Sequence, residues 1–402
     1  MRSATAYPRV GNWHAFCGRT LMYLLSTCTV MFGCEADGLI WTPPSDRADA
    51  LFRIVERGRA GFIDASGHIV IRPSLDVGSN WSQAFYDGML SLGIAEGPFL
   101  NARGQKVLEN GFYRIWDFSE GLAPAMETQE SKWGFIDHSG RFVIRPQFPF
   151  SPEGLVTGFS DGLAAIEVSG KLGYIDHSGE FVIPRKFVAG TAFEDGIARV
   201  VAEGPCTYFN YDYFDACSRT YSNAAPNTGA DRRQSIGTRC MWTFIDKTGR
   251  QIIDAEFEGA LGFHEGLAAV KVGELWGFIN LKGVFVIPPG FRSVHSFSNG
   301  LALVENDKES GFIDQTGALK IRADFLKAEP FSEGLAAIGD PDEGYIFIDP
   351  QGKQAIAEHF ALASRFFHGL AHVKVGRVSW AGGVGTFAYI DRTGRRVFTY
   401  RG

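Results

Sequence analysis

The sequence predicts an all-β fold: a tandem array of about nine similar units, each a β-hairpin extended to roughly three strands. Three observations predict it. The segment "KWGFIDHSGRFVIRPQF" from Lys132 is nearly rewritten 39 residues later as "KLGYIDHSGEFVIPRKF" from Lys171. Its pattern returns around nine Asp or Asn residues, most of them 34 to 39 residues apart, and a fixed period of that size means repeat architecture. No long apolar helical period competes with it. An open β-solenoid is favoured over a closed propeller-like ring, because the units are nine and unevenly spaced.

The N-terminal segment stands apart. Arg2, Arg9 and Arg19 supply charge, no acidic residue precedes Glu35, and the apolar run "TLMYLLSTCTVMFGC" ends at Cys34. The run is too short for a comfortable membrane span and fits an export signal over residues 1–33. Its end resembles a bacterial lipoprotein signal with Cys34 as acceptor, although Met31 and Phe32 depart from that pattern. Lipidation at Cys34, cleavage nearby and an uncleaved anchor stay open. Residues 34–49 read as a linker and 50–398 as the repeat domain. Without residues 1–33 the chain has 36 basic and 45 acidic residues, a net charge of −9. That balance, with no basic cluster, argues against nucleic acid as a partner and leaves membrane contact to the N-terminus.

Within a unit, "WGFID" alternates, so Trp133 and Phe135 face one side of a strand and Ile136 the other. A tight turn follows. Its first residue is Asp64, Asn101, Asp137, Asp176, Asp246, Asn280, Asp314, Asp349 or Asp391. Three residues later stands Gly67, Gly104, Gly140, Gly179, Gly249, Gly283, Gly317, Gly352 or Gly394, where a left-handed residue closes such a hairpin. "RFVI" is then the return strand, and Pro146 is expected to end its ladder. A second signature, "FSEGLA" at Phe118 and its variants at Phe85, Phe159, Phe193, Phe263, Phe297, Phe331 and Phe366, marks another turn before the next strand.

These residues resemble the WG repeat, named for the pair seen at Trp133-Gly134 and Trp276-Gly277, over about residues 50–398. Departures include Ala60, Leu172, Ser310, Tyr345 and Phe387 in place of Trp, and Thr243 in place of Gly. The resemblance implies a bacterial binding or interaction scaffold. The pattern is also similar to the aromatic hairpin repeats of cell-wall-binding proteins. One such unit buries too little apolar surface to offset the entropy of ordering its chain, so neighbours must stack.

The turn acids read as geometry. Asn101 and Asn280 keep the side-chain oxygen that closes an Asx-turn but have no acid–base function, and a catalyst needs one convergent site. The acids of the second signature (Glu120, Asp161, Asp195, Glu265, Glu333) are read the same way, since Asn299 and His368 replace them elsewhere. His368 and His372 have a metal-like spacing but no third ligand. No phosphate loop, nucleophile elbow or dinucleotide fingerprint is present. No catalytic residue, metal or cofactor is expected, and the protein reads as a non-enzyme.

One segment breaks the pattern. Gly196 and Asp246 lie 50 residues apart where neighbouring units use 14 to 16. The excess, about residues 203–239, carries Tyr208, Phe209, Tyr211, Tyr213, Phe214 and Tyr221, aromatics with polar tips suited to recognition. A loop with no partner is the equal alternative. Cys206, Cys217 and Cys240 bracket this insertion. Oxidising conditions would close one pair, with Cys206–Cys240 preferred because it staples the base of the insertion. The functional expectation is an exported scaffold at the cell envelope (periplasmic, membrane-anchored or surface-exposed) with a protein partner. The alternative is a glycan or peptidoglycan binder that stacks sugars on exposed aromatics. If the first turn is purely geometric, Asp137→Asn costs well under 1 kcal/mol and Gly140→Val about 1–2 kcal/mol from left-handed strain. Thermal melts showing the reverse order would refute the assignment.

Overall fold

The structure is a computed structural model that describes residues 50–76, 85–92, 98–108, 111–150, 155–203, 240–306, 310–322, 327–340, 344–376 and 385–402. The described residues form 31 β-strands and no helix. All pairs are antiparallel and neighbours in the chain, as in Ala164–Val168, Lys171–Ile175 and Phe181–Phe187. This is the expected three-stranded unit. Some units add a short leading strand, such as Ala189–Gly190 or Ser293–Val294. Strand Gln354–Ala363 pairs first with its own unit and then with the next, fusing units 8 and 9 into a seven-stranded sheet.

All nine predicted turns form. In each, the Gly N–H donates to the carbonyl of the turn Asp or Asn, from Gly67 to Asp64 through Gly394 to Asp391. Each of these glycines has φ between +73° and +86°, the left-handed region that favours Gly.

The return strand corrects one expectation. It does not stop at Pro146 but runs through it to Phe148, past a bulge. Ile144 faces Phe135 and Phe148 faces Trp133, so the residues around Pro146 oppose Gly134 alone. A bulge leaves ladder groups unpaired, which suits a residue without an N–H. A Cβ on Gly134 would lie 2.6 Å from the Ile144 carbonyl oxygen, and one on Gly277 2.6 Å from that of Ile287. Close backbone approach therefore selects the Gly of the WG pair. In unit 5 the return ladder is reduced to isolated bridges, Ile245 with Gln251 and Trp242 with Phe257, and Thr243 fits.

Stacking follows one rule. The hairpin aromatic of each unit packs against the signature Phe of the next. The pairs are Phe62–Phe85, Phe99–Phe118, Phe135–Phe159, Tyr174–Phe193, Phe244–Phe263, Phe278–Phe297, Phe312–Phe331 and Phe347–Phe366, with ring centroids 4.8 to 5.5 Å apart. Most of these rings are fully buried. Each turn Gly also lies over the return strand of the preceding unit: Gly140 faces Leu108, Gly179 faces Ile144 and Gly394 faces Ile356.

A variant of the same contact joins the last unit to the first, with Phe52 in place of a signature Phe. Tyr389 packs edge-on against Phe52 at 5.3 Å and donates its hydroxyl to the Arg53 carbonyl at 2.6 Å. Gly67 lies over Val397, and Phe52, Ile54, Ile63, Leu370 and Tyr400 share one core cluster. The array therefore comes back on itself. This corrects the preference for open ends: the contacts are those of a closed, propeller-like ring of units. The return strand of unit 9 has no bulge at its Ala388, keeping register from Phe398 to Arg401, and its straight run lies along strand Phe52–Glu56.

Gly121 (φ +83°) has open space where a Cβ would project, whereas a Cβ on Gly67 (φ +86°) would sit 2.6 Å from the Val397 carbonyl oxygen. Gly121→Ala is expected to cost about 1 kcal/mol from strain alone, and Gly67→Ala roughly 3 kcal/mol from strain plus collision at the junction. Equal losses in denaturant titrations would contradict the placement of Gly67.

Candidate functional site

The acidic residues singled out by the sequence lie at two kinds of turn. In the hairpin turns the Asp side chain folds back on its own loop. Asp137 Oδ1 accepts from the Ser139 N–H at 2.8 Å, the Ser139 hydroxyl at 2.5 Å and the Arg141 N–H at 3.1 Å. Asp64, Asp176, Asp246, Asp314 and Asp391 repeat this set with Ser or Thr, and Asp349 keeps the two backbone bonds. Asn101 and Asn280 make the same backbone contacts through their side-chain oxygen. The Ser139 hydroxyl above all, with backbone N–H donors and Arg141, pulls Asp137 down to about 2 against an opposing upward push from burial. Asp391 is held at about 2, first by the Thr393 hydroxyl. Groups held this low carry no proton near neutral pH and are poor bases. What Asp137 contributes to stability is present above the ordinary carboxylate range and is lost as pH falls towards 2.

The second signature behaves differently, and here the sequence reading is corrected. Ser119 and Leu122 exchange both backbone hydrogen bonds, 2.9 and 3.2 Å, around Glu120 and Gly121, which both have positive φ. This is a two-residue hairpin turn of the I′ kind. Asp87, Glu120, Asp161, Asp195, Glu265, Asn299, Glu333 and His368 all occupy its first left-handed position, which is unfavourable for side chains other than Asn and Asp.

Most of the acids do not cap their own turn. They cross to the next unit and accept from its signature Gly N–H. Asp87 reaches Gly121 at 2.6 Å, Glu120 reaches Gly162 at 3.0 Å and Asp161 reaches Gly196 at 2.7 Å. Glu265 reaches Gly300 at 2.9 Å, Asn299 reaches Gly334 at 3.0 Å and Glu333 reaches Gly369 at 2.9 Å. Beside this clasp runs a second one. The hydroxyls of Ser119, Ser160 and Ser332 donate to the carbonyls of Phe159, Phe193 and Phe366, the signature Phe of the following unit. The only sequence signal for this arrangement is a Glu where a left-handed turn would favour Asn or Gly. As expected, no charge is required, since Asn299 serves equally.

Both turn types lie at the same end of the units, because the second strand of each unit returns to where the first began. His138 of one hairpin turn meets Asp87 at 3.2 Å, and His177 meets Glu120 at 3.5 Å. An open cleft lined by Asp87, Met89, Asn101, Arg103, Val107 and His138 lies on this face. The insertion leaves from the opposite end, where Val201 pairs with Trp242 while Ile197 pairs with Asp246 at the turn end.

Tyr208, Phe209, Tyr211, Tyr213, Phe214, Tyr221, Cys206, Cys34, the signal segment and the linker lie outside the described residues. Cys240 is described and is not a free thiol. Trp133 and Trp276 are buried, 3% and 6% exposed, which makes them core side chains and not stacking platforms. The ring face of Trp133 is taken up by Trp116, with centroids 5.6 Å apart.

Compared with known proteins, the chain matches the family described as "WG containing repeat" at five positions: residues 133–171, 173–204, 242–276, 276–309 and 311–339. No curated protein matches it. Among solved structures it is similar to the computationally designed Ika8 protein, at 13% identity and a TM-score of 0.40, covering 71% of this chain and 85% of that one. It is also similar to the C-terminal WD40 domain of Sif2, at 10% identity and a TM-score of 0.33, covering 68% and 78%. A third is BamB from Moraxella catarrhalis, at 11% identity and a TM-score of 0.30, covering 85% and 93%.

Glu333→Ala is expected to cost about 1–2 kcal/mol, because the Gly369 N–H loses its acceptor while the backbone strain is unchanged. Glu333→Gln, which keeps an acceptor, is expected to cost less than half as much. Chemical denaturation of the two variants distinguishes a clasp from a bare turn, for which both would be nearly neutral.

Proposed function

We propose that this chain, which carries the WG containing repeat, is a non-enzymatic exported scaffold that presents its ring of turns and the residue 203–239 insertion to a protein partner at the cell envelope. One observation carries the reading. The described acidic side chains that recur from unit to unit are spent on holding turns closed and units together, spread around the ring instead of converging on one site. Such an arrangement supports a rigid surface. The insertion, which leaves its unit at the end opposite the turns, is the one long departure from the repeat grammar, and binding residues concentrate on loops placed by a rigid scaffold. Export follows from the charge and apolar run of residues 1–33, with Cys34 as a lipid acceptor and Cys206–Cys240 as the pair that closes the base of the insertion.

The test is crosslinking capture from the envelope fraction of cells that make the protein, comparing the intact chain with one lacking residues 203–239. Specific partners captured by the intact chain, with reduced capture after deletion, are the expected result, confirmed by binding of the purified pair. No specific partner for either form would overturn the reading. Saturable quenching of Trp fluorescence by cell-wall sugars would replace it with the glycan-binding alternative.

A further inference from the structure

We propose that the junction between units 9 and 1 is an acid-opened seam, latched by His372, so that the ring closes at neutral pH and parts there in mild acid. Every other junction is crossed by the chain itself; among the described residues this one is held by side-chain contacts, hydrogen bonds and packing. Signature acids tie several internal junctions by accepting from the next Gly N–H. At the seam, Tyr389 bonds to the Arg53 carbonyl and an aromatic stack stands behind it.

His372 is at the centre of that stack. It lies at 5.4 Å from Phe387, 4.8 Å from Tyr389 and 5.8 Å from Tyr400, all within 28° of parallel. Its Nε2 is 2.7 Å from the Tyr400 hydroxyl, and its backbone N–H donates to the Ser364 hydroxyl. The equivalent register position in other units holds Arg53, Ser91, Pro124, Ala165, Arg199, Ala269, Leu303 or Ala337, so His is not a requirement of the repeat; Arg199, the other cation at this position, is satisfied by the Ala260 carbonyl.

The charged and titratable groups around it come from three strands: Arg53 of unit 1, and Tyr389 and Tyr400 of unit 9, with Glu56 acting on Tyr400. Burial pushes both tyrosines up, so neither supplies a compensating anion. A proton on His372 therefore creates a second cation beside the Arg53 guanidinium, between aromatic rings. It also makes both ring nitrogens donors, so a Tyr400 O–H that donates to Nε2 has to turn away. Burial first, and then Arg53, lower His372 to about 4, against about 6.5 when the ring is solvated. The seam is thus at full strength above about pH 6.5 and weakens as pH falls towards 4, because the open form takes up the proton first.

Hydrogen–deuterium exchange of the full chain, corrected for intrinsic rates, tests this at pH 7.5 and pH 5, above the range where ordinary carboxylates take up protons. The strands Phe52–Glu56 and Arg396–Arg401 at the seam are compared with Ser310–Asp314 and Ala336–Asp340 at an internal junction. Seam opening is expected to increase roughly 20- to 30-fold at pH 5, from the linkage of the two proton affinities, with the internal strands unchanged. In His372→Phe, which keeps an aromatic ring in the stack, the seam is expected to show no such pH response. Equal acid responses in wild type and His372→Phe would overturn the proposal. Should that variant fail to fold, the wild-type profile decides alone: seam strands as protected at pH 5 as at pH 7.5, or opening together with the internal junction, refute it.

Discussion

The edge-on or tilted contact between the hairpin aromatic of one unit and the signature Phe of the next is the interaction on which the array depends. A three-stranded unit has two faces and cannot cover both. Burying one Phe against another from the neighbouring unit removes both rings from water and fixes their angle, since edge-to-face geometry is preferred over a stacked sandwich. The contact recurs at every junction with nearly the same separation. Tyr174 and Tyr389, the two places where Tyr replaces Phe, keep the contact and use the added hydroxyl on a carbonyl of the following unit, Thr191 and Arg53.

Around that contact the polar residues divide the work of orientation. The Asp of each hairpin turn organises its own loop, and the Glu or Asp of the signature turn organises the next unit. Both use carboxylate oxygens as hydrogen-bond acceptors, which Asn101 and Asn299 perform without charge. A reader of composition alone would see an acidic protein rich in candidate catalytic groups. Their geometry shows them engaged in holding backbone.

How much of this was legible in the sequence follows the range of each interaction. Asp137, Ser139 and Gly140 lie within one turn, so spacing and residue type sufficed, and all nine turns form as read. The bulge past Pro146 was missed because its cause, the approach of the Ile144 carbonyl to Gly134, lies across the hairpin. The inter-unit reach of Glu120 was missed for the same reason, its partner Gly162 lying 42 residues away. Closure was the least legible feature. Phe52 stands in for a signature Phe outside the signature, and Val397 meets Gly67 where the other return strands use a residue one place further along. The seam is built from exceptions to the repeat, and a reading that averages over units cannot see exceptions.

The contact of Gly67 with Val397 has a consequence for how such a gene can change. An open-ended stack gains or loses a module by duplication or deletion at little cost, because its termini have no partner to misalign. In a circular one, each module contributes a fixed share of the full turn, so adding or removing a single copy would leave the two ends out of reach or in collision. Its copy number is locked once the circle closes, and length variation is confined to the loops between strands, where the longest excess in this chain is found.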